Sequence, residues 1–278
     1  MSYLYPAMIV ALIGLVAGVI LTVAAKFMAV PVNEKVGELR DALPGANCGA
    51  CGFAGCDAYA EAVAEGKECT LCPVGGSAVA EKLAAIMGVE AGSTEPKIFR
   101  VTCKGSHTHA KIFSEYDAEI KSCKAANQLY GGNKVCEFGC LGLADCVKAC
   151  EFDAIHIKDG VAVIDEDKCV ACGQCAKACP KHLISDAPKK KLVFVGCSST
   201  HKAPDALKAC KVACIGCKKC VAACKFDAIH VNDFLAKVDY EKCVNCGACV
   251  KACPTKALVN RRKKSAPKKP AAANAQSA

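Results

Sequence analysis

Cysteine is the residue whose number and spacing point to chemistry in this chain. There are 25 cysteines among 278 residues. The most regular form two runs with the spacing Cys-x2-Cys-x2-Cys-x3-Cys-Pro, which are Cys169, Cys172, Cys175 and Cys179, and Cys243, Cys246, Cys249 and Cys253. In such runs three close thiolates hold one iron–sulfur cluster and the fourth reaches a neighbouring cluster. The pattern predicts paired clusters, and therefore electron transfer.

The cysteine pattern occurs twice in the chain. A constant offset relates the two copies, so that Cys150 in the first corresponds to Cys224 in the second. Leu143 stands where the second copy has Cys217, and Cys136 is the candidate that would replace the missing ligand. Crossed ligation then predicts four clusters. Their ligands are Cys136, Cys140, Cys146 and Cys179; Cys150, Cys169, Cys172 and Cys175; Cys214, Cys217, Cys220 and Cys253; and Cys224, Cys243, Cys246 and Cys249.

Each copy resembles a bacterial ferredoxin module that carries two clusters. Between the cysteine groups, residues 154–165 alternate about Asp159-Gly160, and residues 228–239 repeat this less cleanly about Asn232-Asp233. An Asp-Gly pair between alternating segments predicts a β-hairpin. With no tryptophan and 5% aromatic residues, such small α+β modules must depend on their clusters for stability.

A further cysteine group precedes the modules. Cys48, Cys51 and Cys56 are separated by glycines that let the backbone fold closely about a cluster, and a short helix ending at Gly66 follows. The fourth ligand is Cys69 or Cys72, and the proline after Cys72 favours Cys72. A zinc site is the competing interpretation, since zinc also accepts four thiolates.

Five cysteines remain outside these predicted clusters: Cys69, Cys103, Cys123, Cys197 and Cys210. Cys123 precedes Cys136 by the same interval as Cys197 precedes Cys210. The last four of the five could therefore form a further metal site. Buried free thiols are the alternative.

The charge balance does not indicate a nucleic-acid-binding protein. The formal charge is +9 with every cysteine neutral, but five four-iron clusters at about −2 each would bring the loaded protein near neutrality. A zinc-stapled module that binds nucleic acid through lysines is thus disfavoured, as is a disulfide scaffold, because these spacings suit metal.

Residues 6–25 carry no charge, and about 20 apolar residues suffice to span a bilayer as a helix. A signal peptide is the alternative, but no basic residue precedes the run. Because Lys26 follows it, the positive-inside rule predicts a single-pass anchor in a bacterial or archaeal inner membrane, with the cluster domains on the cytoplasmic side.

The predicted fold class is thus α+β, with one transmembrane helix, a small helical four-iron domain and two tandem ferredoxin modules of two clusters each. The expected organisation is a membrane anchor (1–30), a four-iron domain (31–92), a connecting segment (93–130), a first module (131–187), a second module (188–260) and a disordered basic tail (261–278).

This order of elements resembles the B subunit of the Rnf complex, an ion-translocating ferredoxin:NAD+ oxidoreductase. The stretches beginning Asn47-Cys48-Gly-Ala-Cys51 and Gly139-Cys140-Leu-Gly-Leu carry the resemblance. It implies Cys48, Cys51, Cys56 and Cys72 as the first cluster's ligands, soluble ferredoxin as electron donor, and other membrane subunits as partners that pass electrons to NAD+. A related complex that reduces a redox-sensing regulator is the alternative.

No nicotinamide, flavin or acid–base site of the chain's own is expected, since no Gly-x-Gly-x-x-Gly opens a helix after a strand.

Overall fold

Three helices of the N-terminal third pack around a small core beside a cysteine-rich loop. The computed structural model describes residues 4–27, 34–92, 95–114 and 120–261. Four helices lie in this third: α1 (Leu4–Phe27), α2 (Glu34–Ala42), α3 (Cys56–Ala64) and α4 (Gly76–Met87). Leu39, Tyr59, Val63 and Leu83 from α2, α3 and α4 are fully buried together. This core fixes the loops that bear the first cysteines.

The prediction of a membrane-spanning helix over residues 6–25 is wrong for the part of the chain that the structure describes. No helix there is both long and apolar enough to cross a membrane. The cytoplasmic orientation inferred from that helix has no support in the structure.

The first module is closed by a strand from the segment expected to be a connector. Its elements are β1 (Lys97–Val101), α5 (Cys123–Gln128), α6 (Asp145–Lys148), β2 (Ile155–Lys158), β3 (Val161–Ile164), α7 (Gln174–Ala178) and β4 (Ile184–Pro188). Strand β1 pairs antiparallel with β4, so the two ends of the module lie side by side. Sequence reasoning missed β1 because its partner lies at the far end of the module, beyond both cysteine groups.

The second module repeats this plan. Its elements are β5 (Val193–Val195), α8 (Ala203–Ala209), α9 (Lys219–Ala222), β6 (Ile229–Asn232), β7 (Leu235–Val238), α10 (Ala248–Ala252) and β8 (Leu258–Asn260). Strand β5 pairs antiparallel with β8, as β1 does with β4. The predicted basic tail lies outside the described residues beyond Arg261.

Both predicted hairpins are confirmed, as β2–β3 and β6–β7. In the first, Asp159 (φ 49°) and Gly160 (φ 69°) make the tight turn in the left-handed region that an Asp-Gly pair favours. In the second, Asp233 and Phe234 occupy the same conformation, with Phe234 at φ 60°. A phenylalanine is strained there, which explains why the second hairpin was the weaker signal in the sequence.

Candidate iron–sulfur sites

Two short helices in each module carry the cysteines for which the sequence predicted crossed ligation. In the first module, Cys146 lies within α6 and Cys150 just beyond it, while Cys175 lies within α7 and Cys179 caps it. In the second, α9 and α10 carry Cys220, Cys224, Cys249 and Cys253 at the equivalent positions. Because α6 packs on α7 and α9 packs on α10, each helix pair lies between two neighbouring sites. This is the geometry that the crossed spacing predicted.

The structure brings Cys150, Cys169, Cys172 and Cys175, one of the predicted ligand sets, to the lining of a single pocket. Burial raises the pKa of Cys175 to about 12, and the neighbouring thiols Cys169, Cys172 and Cys150 add to this rise. The Ala154 N–H donates to Cys150 Sγ at 3.5 Å. Backbone donors to sulfur of this kind stabilise a cluster's reduced form.

The other pocket of the first module contains a different cysteine from the one predicted. It is lined by Cys123, Cys140, Cys146 and Cys179, and Cys136 is not among its lining residues. Burial raises the pKa of Cys146 to about 12, and the nearest thiols that add to this are Cys140, Cys123 and Cys179. Cys123 therefore stands in the position for which the sequence offered Cys136.

Helix α5 explains how Cys123 reaches this cavity. Asp145 Oδ2, at the start of α6, accepts hydrogen bonds from Ser122 Oγ (2.9 Å) and from the Lys124 backbone N–H (3.1 Å). These bonds fix the start of α5 against the helix that carries Cys146. Leu143, the residue that replaces a cysteine in the repeat, packs against the apolar group that contains Cys123.

In the second module, Cys214, Cys217, Cys220 and Cys253, one of the predicted ligand sets, line a single pocket. Of the other set, Cys224, Cys243 and Cys249 pack in one apolar core. Burial raises the pKa of Cys249, and the thiols Cys243, Cys246 and Cys224 add to this rise. Cys217 and Cys246 are the two exposed cysteines of the chain, all of whose cysteines are described.

A further cavity lies between the two modules. It is lined by Cys103, Cys136, Cys197 and Cys210 and is here called the seam site. Burial raises the pKa of Cys136 to about 11, and the other three thiols add to this rise. The set that sequence spacing suggested differs by one exchange, because Cys136 lies here and Cys123 lies in the first module.

The N-terminal cysteines are arranged around the loop before α3 and the turn before α4. Cys51, Cys56 and Cys72 are partly buried against the helical core, and burial raises the pKa of Cys72, with further rises from Cys51 and Cys48. Asn47 Oδ1 accepts a 2.8 Å bond from the Cys56 N–H and closes the loop. Cys69 is 8% exposed and part of the core itself.

Tyr59 fixes the segment that leads to Cys72. Its hydroxyl donates to the Glu68 carbonyl (2.9 Å) and accepts from the Leu71 N–H (3.2 Å). Burial raises the pKa of Tyr59 to about 12, so the phenol stays protonated and can donate.

We expect Tyr59→Phe to destabilise the N-terminal domain by about 1–3 kcal/mol, because it leaves two backbone groups without a partner. The iron of this domain should also be lost faster to a chelator. Anaerobic thermal unfolding and chelation kinetics measure both. Tyr130→Phe, at a side chain 94% exposed, is the control, and equal behaviour of the two variants would contradict the assigned role.

The N-terminal domain sits directly on the first module. Gln174 Nε2, in α7, donates to the Cys48 carbonyl at 2.6 Å. Cys48 is also close enough to Cys172 to add to the burial-driven rise in the pKa of that thiol. The N-terminal cysteine set and the set containing Cys172 are thus neighbours.

Within the described residues, no three or more His, Cys, Asp or Glu side chains are grouped so as to hold a metal ion. A four-iron cluster places a different demand on the protein, since its four thiolates bind four separate irons around a core of sulfide. Four partly enclosed, largely apolar pockets with four cysteines each, and backbone N–H groups directed at sulfur, fit that demand.

Comparison with known proteins covers the same segments. Three family models match: a putative Fe-S cluster family over residues 43–74, a 4Fe-4S binding domain over 162–185, and a 4Fe-4S dicluster domain over 213–257. Residues of both modules and of the N-terminal domain therefore carry iron–sulfur signatures. Cys103, Cys123, Cys136, Cys197 and Cys210 lie outside all three matches.

Relatives that match most of the chain identify the family. The chain is 43% identical to the B subunit of the Na+-translocating ferredoxin:NAD+ oxidoreductase complex of Acetobacterium woodii, over 87% of this chain and 73% of that protein. It is 42% identical to the B subunit of the ion-translocating oxidoreductase complex of Methanosarcina acetivorans, over 88% and 94%. The chain belongs to the B-subunit family of ion-translocating oxidoreductase complexes.

This B subunit is an iron–sulfur electron-transfer component of such a complex. A third relative, the B subunit of the proton-translocating ferredoxin:NAD+ oxidoreductase complex of Clostridium ljungdahlii, is 42% identical over 83% of this chain and 82% of its own length. The names of these relatives differ in the ion that is translocated, so membership of the family leaves the coupling ion of this B subunit open.

Proposed function

We propose that this subunit takes electrons one at a time from reduced ferredoxin and passes them through four-iron clusters to partner subunits, which reduce NAD+. Two electrons and one proton convert NAD+ to NADH, so two ferredoxin oxidations balance one turnover. The crossed ligand geometry of both modules carries this proposal, because it places clusters in adjacent pairs. Each cluster, when bound, accepts and returns one electron.

The proposed ligand sets follow the geometry rather than spacing alone. They are Cys48, Cys51, Cys56 and Cys72; Cys123, Cys140, Cys146 and Cys179; Cys150, Cys169, Cys172 and Cys175; Cys214, Cys217, Cys220 and Cys253; and Cys224, Cys243, Cys246 and Cys249. Five four-iron clusters amount to about 20 irons.

The repeat also indicates where ferredoxin docks. Cys172 in the first module is buried, and the N-terminal domain lies against it through Cys48 and Gln174. Its counterpart in the second module, Cys246, is exposed. Val244 beside it is 54% exposed. Among the described residues, nothing covers the face of the second module that corresponds to the face on which the first module carries the N-terminal cysteine-rich domain. Ferredoxin, itself an iron–sulfur protein, is the partner we propose for this face.

We expect Val244→Glu to weaken ferredoxin binding about tenfold or more, because a carboxylate desolvated in the contact without a partner costs at least about 1.4 kcal/mol. Iron content should not change, since Val244 is not a ligand. The measurement is the rate of ferredoxin-driven bleaching of the clusters as a function of ferredoxin concentration. Val89→Glu, equally exposed at 54% in the N-terminal domain, is the matched control.

Anaerobically purified chain, titrated with reduced ferredoxin, tests the function itself. Bleaching of the cluster absorbance in step with ferredoxin oxidation is the expected result. An iron-loaded chain that dithionite reduces and ferredoxin does not would overturn the proposal. Equal rates for Val244→Glu and Val89→Glu would overturn only the docking face.

A further inference from the structure

The seam site is built from equivalent residues of the two modules. Cys103 lies two residues after the end of β1, and Cys197 lies two residues after the end of β5. Cys136 precedes Cys140 by four residues, and Cys210 precedes Cys214 by four. Each module therefore contributes one cysteine after its first strand and one before its first ligand run. The site has an approximate twofold arrangement that neither module can complete alone.

The hydrogen bonds at this site repeat in the same way. The Cys140 N–H donates to Cys103 Sγ at 3.4 Å, and the Cys214 N–H donates to Cys197 Sγ at 3.3 Å. A third donor, the Ser199 N–H, lies 3.5 Å from Cys197 Sγ. Two unrelated thiols in different modules would have no reason to receive matched backbone donors. Thiolates of a cluster do, because such bonds stabilise negative charge on sulfur.

Buried positive charge accompanies the site. Lys134, two residues before Cys136, is 4% exposed and its Nζ donates to the carbonyls of Gly105 (2.8 Å) and Gly160 (3.0 Å). Lys104, next to Cys103, donates to the Lys256 carbonyl at 2.7 Å and lies near Cys210. A four-thiolate cluster carries about −2, so two lysines beside it would offset that charge. Beside neutral thiols a buried lysine would be uncompensated.

We infer that Cys103, Cys136, Cys197 and Cys210 hold a sixth four-iron cluster, which joins the two modules electrically. The inference rests on the proposed electron-transfer function. The residues whose N–H groups donate to the seam sulfurs support this connection between the modules. Cys140 lines the nearer site of the first module, and Cys214 lines the nearer site of the second module. Each is one hydrogen bond from a seam sulfur.

The six sites then form a linear electron-transfer chain. From the exposed end, the order is the Cys246 set, the Cys217 set, the seam site, the Cys123 set, the Cys172 set and the N-terminal Cys48 set. One electron from reduced ferredoxin enters the second module, and one electron leaves the N-terminal end. At each step one site loses an electron and the next gains it, with no bond formed or broken.

The wild-type chain provides the first test. Native mass spectrometry of anaerobically purified full-length protein should show six clusters, and chemical assay should give about 24 irons and 24 acid-labile sulfides per chain. Five clusters, with Cys103, Cys136, Cys197 and Cys210 open to alkylation, would overturn the inference and leave the proposed function standing.

Variants provide the second test. Cys103→Ala and Cys197→Ala should each remove about four irons, and the double variant should also remove about four, because both residues serve one cluster. Ferredoxin should still reduce the second module, while reduction of the first module and the N-terminal domain is lost. Cys69→Ala, at a buried thiol outside all six sets, should change neither the iron content nor the reduction of the first module.

A double variant that loses about eight irons, or full reduction of the first module in either single variant, would contradict a shared seam cluster. Six clusters that ferredoxin fails to reduce would instead contradict the proposed function.

Discussion

Replacing Cys123 with alanine is expected to remove about four irons and to stop electron flow beyond the seam, because we propose Cys123 as a ligand of the nearer first-module cluster. The reason is the position of the Cys123 side chain. Cys123 shares a cavity with Cys140, Cys146 and Cys179, and Asp145 holds it there through Ser122 and Lys124. Iron assay and ferredoxin-driven reduction of the N-terminal cluster measure the two effects.

Double variants decide between Cys123 and Cys136 as that ligand. If Cys123 and Cys179 serve the same cluster, then Cys123→Ala/Cys179→Ala loses no more iron than either single variant, about four. Cys136→Ala/Cys179→Ala should lose about eight irons, because Cys136 belongs to the seam site. If Cys136→Ala/Cys179→Ala instead loses only about four irons, Cys136 and Cys179 serve the same cluster, as the spacing suggested. Cys69→Ala controls for the loss of a buried thiol.

Glu166→Gln is expected to destabilise the chain by about 3 kcal/mol or more, because it leaves a buried arginine without its counter-charge. Arg100, on β1, is 2% exposed, and its guanidinium nitrogens have no hydrogen-bond partner. Its Nε lies 3.5 Å from Glu166 Oε1, which also lies 3.4 Å from Arg261 Nη1. Both guanidinium groups stack on Phe194 of β5, at 5.1 and 5.7 Å.

This group ties the modules together, since Arg100 and Glu166 belong to the first and Phe194 and Arg261 to the second. Anaerobic thermal unfolding of the loaded chain measures the effect. Asp153→Asn, which breaks the 2.7 Å pair with Lys168 at a carboxylate 72% exposed, should cost at most about 1 kcal/mol and is the control. Arg100→Met added to Glu166→Gln should recover part of the loss. No difference between Glu166→Gln and Asp153→Asn would contradict the argument.

Local spacing predicted the ligands that lie close together in the chain. In the runs Cys169 to Cys179 and Cys243 to Cys253, the first three thiols are so close in sequence that most backbone conformations bring them to the same cluster. The crossed fourth ligand followed from the repeat, and the Asp159-Gly160 pair predicted the hairpin between the runs. These features depend on residues near in sequence, so the sequence alone sufficed.

The remaining sites depended on strand pairing between distant segments. Cys103 reaches the seam because β1 pairs with β4, and Cys197 reaches it because β5 pairs with β8. The same interval separates Cys123 from Cys136 and Cys197 from Cys210, yet Cys123 alone of these four lies away from the seam. Helix α5 takes it to Asp145, a side-chain contact that spacing does not encode.

The sequence by itself therefore determined that this protein has iron–sulfur domains in two repeated modules behind a smaller cysteine-rich domain. It predicted a membrane-spanning helix that the described chain does not contain. Only the tertiary structure placed Cys123 beside Cys140, Cys146 and Cys179. It alone also brought four separate segments together between the modules and laid the N-terminal domain on the first module at Cys172. The physical reason is that local ligands are set by chain geometry, whereas distant ones are set by the packing of strands and helices that brings their segments together.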